Sequence, residues 1–159
     1  MSGPTPDNDE ARTPIETKAQ LIEALSSGSK PKAEWRIATE HEKFPFLTDS
    51  LEPVPYDGAR SIKALLEGLR DRFGWTGVYE KGNIIALSDP HGMGNVSLEP
   101  GGQFELSGAP LETVHDTCAE VHQHLVQVRE IGDALGIGFL GLGASPTWSG
   151  AQTPVMPKG

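Results

Sequence analysis

The residues best placed to do chemistry in this chain are acidic and fall in two sets. Glu99, Gln103 and Glu105 flank Pro100-Gly101-Gly102, and Glu40 and Glu42 stand two residues apart. Val96 and Leu98 alternate with Ser97 and Glu99, and Phe104 and Leu106 alternate with Gln103 and Glu105. Each half therefore reads as a strand with one apolar and one polar face. The Pro-Gly-Gly break bends the segment and aims Glu99, Gln103 and Glu105 into one space. Oxygen donors gathered this way suit a hard cation such as Mg²⁺, which takes a few carboxylates and fills its shell with water and substrate phosphate. An exposed acidic sheet face presents the same pattern equally well. The run from Trp35 to Phe44 also alternates, which puts Glu40 and Glu42 on one face with backbones about 6–7 Å apart. That span lets them share one ion or hold neighbouring ones. With no cation between them, repulsion raises one of their pKa values.

Other reactive types carry less. His41 falls on the strand face opposite the two glutamates and reads as a packing residue or surface hydrogen bonder. His91 is a solvated loop residue. His115 and His122 are seven apart and His124 lies off their face; with no third ligand at helical spacing, no histidine metal site is expected. Cys118 falls on an apolar helical stripe, so it reads as a buried structural thiol rather than a nucleophile.

The elements that must position these residues follow from periodicity. Residues 1–13, rich in Pro, Asp and small polar side chains, are expected to form a disordered tail, and residues 14–159 one domain. Thr13-Pro14-Ile15-Glu16 is a helix-start pattern, with Leu21, Ile22 and Leu25 on one face and a stop at Gly28. A strand is expected over 35–44 and a loop from Pro45 to Gly58. Ile62, Leu65, Leu66, Leu69 and Phe73 predict an amphipathic helix over 61–73. Residues 78–87 read as a hairpin turning at Lys81-Gly82-Asn83. Pro110 is expected to open the longest helix, to about Leu135, with a stripe of Leu111, Val114, Cys118, Val121, Leu125, Val128, Ile131 and Leu135 ended by Gly136. The glycines of 136–143 mimic a dinucleotide-binding spacing but follow a helix and open none, so they predict a buried, closely packed strand.

Length and charge narrow the class. At 159 residues the chain supports one core. A net charge of −9 disfavours nucleic acid and anionic membranes as partners, and no apolar run approaches the roughly 20 residues that span a bilayer. The amino terminus shows neither a secretory signal nor a typical transit peptide, and one cysteine forms no internal disulfide. A cytoplasmic location is expected.

Three blocks together resemble the plant-type glutamate–cysteine ligases, found in plants and many bacteria: Trp35-Arg36-Ile37-Ala38-Thr39-Glu40-His41-Glu42-Lys43-Phe44, the run Ser97 to Thr113 containing Glu-Pro-Gly-Gly-Gln-Phe-Glu-Leu-Ser-Gly-Ala-Pro, and Gly136-Ile137-Gly138-Phe139-Leu140-Gly141 followed by Met156-Pro157-Lys158-Gly159. The resemblance implies an α+β fold similar to glutamine synthetase, an antiparallel sheet curved around the site with helices flanking it. It implies ATP-dependent ligation of the γ-carboxyl of L-glutamate to L-cysteine through γ-glutamyl phosphate, the first step of glutathione biosynthesis. Mg²⁺ is the implied cofactor and ATP the co-substrate. Glu40, Glu42 and Glu105 match the family's metal-binding glutamates, with Glu99 and Gln103 as further donors; no catalytic or nucleotide-contacting residue is assigned.

Three departures stand out. Ala38 occupies a position that is usually Gly, where an added methyl costs about 1–3 kcal/mol if space is tight. Thr147 precedes Trp148 where relatives often have Lys. Members of the family are roughly three times as long and continue past Pro-Lys-Gly into an Arg-Tyr segment. The expectation is thus the amino-terminal portion of such a ligase, inactive alone and prone to self-association through surface left uncovered. The alternatives are a non-catalytic metal- or partner-binding module built on that fold, and a small metal-dependent phosphohydrolase.

Overall fold

A computed structural model describes residues 14–158, so the tail expected over residues 1–13 lies outside the described residues. The chain divides into two compact units, up to Arg36 and from Ile37 onward.

In the first unit, helix α1 spans Lys18–Ser26. It starts four residues after the expected position because Thr17 supplies the cap. Thr17 Oγ1 accepts from the Gln20 N–H while the Gln20 side chain accepts from the Thr17 N–H, which satisfies two orphan donors of the first turn. A single 3₁₀ turn follows at Lys32–Glu34, and Trp35 Nε1 donates to the Lys30 carbonyl.

The second unit is an α+β fold. Its strands are β1 (Glu40–Leu47), β2 (Thr76–Glu80), β3 (Asn83–Ser88), β4 (Asn95–Glu99), β5 (Gln103–Ser107) and β6 (Ile137–Leu140), and its helices are α2 (Ile62–Phe73) and α3 (Val114–Leu135). All six strands form one antiparallel sheet in the order β2-β3-β4-β5-β1-β6. The β2–β3 hairpin turns on Lys81 and Gly82, both at positive φ (48° and 83°), as a two-residue turn requires. The β4–β5 turn uses Gly101 and Gly102 at φ 81° and 78°. Side chains other than glycine rarely adopt that conformation.

β1 begins five residues later than expected and ends three later. The 3₁₀ turn holds the chain before Trp35, and Ile37 makes only an isolated bridge to Leu111. Pro45 continues the strand because β1 changes partners along its length: Glu40 to Lys43 pair with β5, and Phe44 to Leu47 pair with β6. Pro45 lies beyond the last β5 pair. β6 approaches closely because Gly138 leaves room for the Phe46 ring, which a Cβ would meet at 2.5 Å. Expected as a buried strand, β6 is instead an edge strand with Ile137 buried and Leu140 exposed.

One face of the sheet is covered by the helices. Ile62, Leu65, Leu66 and Leu69 of α2, capped by Ser61 and ended by Gly74 in the left-handed conformation, are fully buried against Ile84, Leu87, Val96, Leu98 and Phe104. Burying each such side chain contributes about 1.5–3 kcal/mol. α3 starts at Val114 with Thr113 as cap, not at Pro110. Its buried side runs through His124, Val128 and Gly132, with Ile131 and Leu135 packed on the core. The expected stripe therefore holds at Val128, Ile131 and Leu135 and departs from the buried side at Val114, Cys118 and Leu125. Cys118 is exposed, contrary to the buried thiol expected, and Val114 and Leu125 are exposed with it. Their side of the helix turns away from the sheet because the polar Glu120 and His124 turn toward it. None of the described helices is long and apolar enough to cross a membrane.

Lys43 is 1% exposed among these apolar groups, its ammonium donating to the carbonyls of Phe104 (2.9 Å) and His41 (3.1 Å). Burial pushes its pKa down to about 8, against a partial pull upward from Glu105. Between pH 8 and its unfolded value of 10.5, the unfolded chain binds a proton that the folded chain does not, so stability climbs with pH across that window. Thermal melts from pH 7.5 to 9.5 are expected to show this climb, and Lys43→Met is expected to flatten it.

Candidate functional site

The sheet face away from the helices is built by alternation on three neighbouring strands. Register pairs Glu42 with Glu105, Glu40 with Ser107, Ser97 with Glu105, and Glu99 with Gln103. Directly opposed residues share a face. All five sequence-predicted donors, Glu40, Glu42, Glu99, Gln103 and Glu105, therefore stand on one side of the sheet, with Ser97 and Ser107 among them. His41 pairs with Leu106 and faces the helices.

Glu105 is the buried member at the centre. Ser97 Oγ donates to its Oε2 at 2.8 Å and Ser107 Oγ to its Oε1 at 3.2 Å. Burial opposes its charge, and hydrogen bonds with Glu40, Ser97, Ser107 and Glu99 outweigh that and hold its pKa below the usual carboxylate value. Glu40 moves the other way. Its hydrogen bond with Glu105 is the main cause of a raised pKa, followed by desolvation and repulsion from Glu105. The pair thus titrates unequally, with Glu105 favouring its charged form and Glu40 shifted toward the neutral acid.

Glu42 is engaged differently, accepting from Gln103 Nε2 at 2.9 Å. Gln103 thus donates its amide to a neighbouring carboxylate. Among the described residues, no three His, Cys, Asp or Glu side chains are arranged to hold one metal ion between them. The donor set is nonetheless all oxygen, and Mg²⁺ commonly uses one or two carboxylates with water and phosphate completing its shell. The Glu40–Glu105 pair fits that demand.

Periodicity missed two features of this face. Ser97 and Ser107, which fix Glu105, lie at alternate positions on the same strand faces, and that spacing was the available signal. Further along β1, Phe44 and Phe46 share the side of Glu40 and Glu42. Together with Leu51, Leu140, Pro146 and Trp148 they line an apolar pocket of about 140 Å³. Trp148 packs edge-on against Phe44, ring centroids 5.5 Å apart, and donates Nε1–H to the Leu51 carbonyl. Only the fold brings residues 145–148 to that strand.

A family model described as "Glutamate-cysteine ligase family 2" matches residues 36–159. The chain is 52% identical over 158 residues to glutamate–cysteine ligase A, chloroplastic, of Oryza sativa subsp. japonica, covering 99% of this chain and 31% of that protein. It is 53% identical to the chloroplastic glutamate–cysteine ligase of Medicago truncatula, covering 99% and 30%, and 51% identical to that of Arabidopsis thaliana, covering 99% and 29%. The chain spans less than a third of the length of these relatives. Their chloroplastic names overturn the expected cytoplasmic location. A lone cysteine and a net charge describe the fold's chemistry and carry no address.

The raised Glu40 pKa has a measurable consequence. The folded chain keeps a proton there that the unfolded chain releases above 4.5, so this contribution is present at low pH and lost as pH rises through the raised value. Glu40→Gln donates permanently to Glu105 and does not titrate. Melts at pH 4 and pH 7 are expected to give equal midpoints for parent and variant at the lower pH, and a midpoint a few degrees higher for the variant at pH 7.

Proposed function

Because the chain belongs to glutamate–cysteine ligase family 2, we propose that the carboxylate face of its sheet holds Mg²⁺ for an ATP-dependent ligation of the γ-carboxyl of L-glutamate to the amine of L-cysteine. The observation that carries this reading is the convergence of Glu40, Glu42, Glu99 and Glu105 on one sheet face, with the central Glu105 held by Ser97 and Ser107. Carboxylates gathered on one face repel one another, and a divalent cation bound among them relieves that repulsion. Glu40 and Glu105 would hold the ion, with Glu42 and Glu99 completing the negative face and Gln103 orienting Glu42. When bound, the metal would offset charge over phosphate oxygens while γ-glutamyl phosphate forms and the cysteine amine displaces phosphate.

The residues of this chain supply positioning. Ser97 and Ser107 hold Glu105 charged and fixed, and Gln103 fixes the rotamer of Glu42. Such preorganisation is what phosphoryl transfer asks of a protein. The antiparallel sheet with helices on one side is in keeping with a glutamine-synthetase-like carboxylate–amine ligase fold. A second reading of the same carboxylate face is a module that binds metal without catalysing.

Mg²⁺ titrated at pH 7 is expected to raise the melting midpoint saturably, with an affinity at least about tenfold weaker in Glu105→Gln, which loses an anionic ligand. An equal response in that variant would remove the metal assignment. With ATP and Mg²⁺ present, phosphate release that requires both glutamate and cysteine supports ligation. Release without them identifies a phosphohydrolase, and metal binding with no release identifies the non-catalytic module.

A further inference from the structure

The helix-facing side of the sheet contains a second polar site, unrelated to the glutamate face. Among the described residues, the buried side-chain atoms with no hydrogen-bond partner are His41 Nδ1, Glu120 Oε2 and both ring nitrogens of His124. All belong to β1 and the sheet-facing side of α3. His124 is 3% exposed, and together with Glu120 it lines a cavity of about 110 Å³ whose other walls include Phe73, Trp75, Asp89 and Leu106. Native proteins satisfy nearly all buried polar atoms, and three of these four, Glu120 Oε2 and both His124 nitrogens, belong to residues lining this one cavity, which calls for a ligand.

The chemistry of the walls selects that ligand. Glu120 Oε1 accepts the Ala109 N–H at 2.8 Å, which pins the carboxylate and leaves Oε2 to another donor. Gly108 keeps the space, since a Cβ there would collide with Glu120 Oε2. Burial, with Lys43 and His41 nearby, holds the His124 pKa down to about 3. Its imidazole is therefore neutral and offers one bare acceptor nitrogen. Glu120 and His124 are one helical turn apart, about 5–6 Å between Cβ atoms, a span that one donor group can bridge. Asp89 adds a second carboxylate at the wall, while Phe73, Trp75 and Leu106 are apolar. A metal ion is a poor match, because no three potential ligands converge here.

We propose that this cavity binds a small primary amine, its ammonium between Glu120 Oε2 and the bare nitrogen of His124 and its short apolar stem against Phe73, Trp75 and Leu106. Propylammonium chloride titrated into the chain tests this, with sodium propionate and sodium chloride at equal ionic strength as controls. The ring signals of His124 and the indole N–H of Trp75 are followed by NMR. Expected is a saturating shift with propylammonium alone, at least tenfold weaker in Glu120→Gln, which keeps an oxygen for the Ala109 N–H. His124→Leu, which fills the cavity with an apolar side chain, is expected to abolish the Trp75 response while its melt stays cooperative. Saturation by propionate, an equal shift with sodium chloride, no saturable shift, or full-strength binding in a folded Glu120→Gln chain would each overturn the proposal.

Discussion

Repulsion between like charges is the constraint around which the sheet is arranged. Four glutamates crowd one face of β1, β4 and β5, and the register that opposes Glu42 to Glu105 gives them no room to separate. The fold meets this by three local means. Glu40 is shifted toward its neutral form beside Glu105, Ser97 and Ser107 donate to Glu105, and Gln103 donates to Glu42. Each means is a donor placed where an anion would otherwise stand bare, and each leaves the oxygens converging on the same side.

The two faces of the central strands are electrically connected. Alternation that lifts Glu40 and Glu42 out of the sheet also drives Lys43 into it, where its ammonium feels the Glu105 carboxylate through the sheet. Lys43 is costly where it sits, and burial of its charge is offset by its two carbonyl partners, by the Phe104 ring 5.9 Å from its ammonium and by that attraction. Its cation lies beneath the acidic face and not on it. The outward oxygens stay available because their counter-charge is supplied from below.

Period-two alternation made the acidic face legible, since Glu40, Glu42, Glu99, Gln103 and Glu105 needed only strands to share a side. That the two sets would meet was not legible from spacing. Glu42 and Gln103 are 61 residues apart, and only the resemblance to a known family joined them. Helix α2 was readable because its stripe is purely apolar and both caps have the expected types. α3 misled because the reading ranked residues by hydrophobicity, while its buried side holds Glu120 and His124. Cys118 was misplaced because only the later turns of that stripe, from Val128 to Leu135, reach the core. The start of β1 was obscured because local alternation from Trp35 cannot reveal that a 3₁₀ turn precedes it, and the α1 cap because two Thr-containing starts compete within five residues.

β1 is paired half to β5 and half to β6, both of which follow it distantly in the chain. During synthesis it leaves the ribosome long before either neighbour exists, and closing such large loops is entropically slow. The acidic face is accordingly a product of long-range pairing, unlike the locally specified helix α2. The carboxylates share that face only once β5 lies beside β1, a pairing that spans the 61 residues between Glu42 and Gln103.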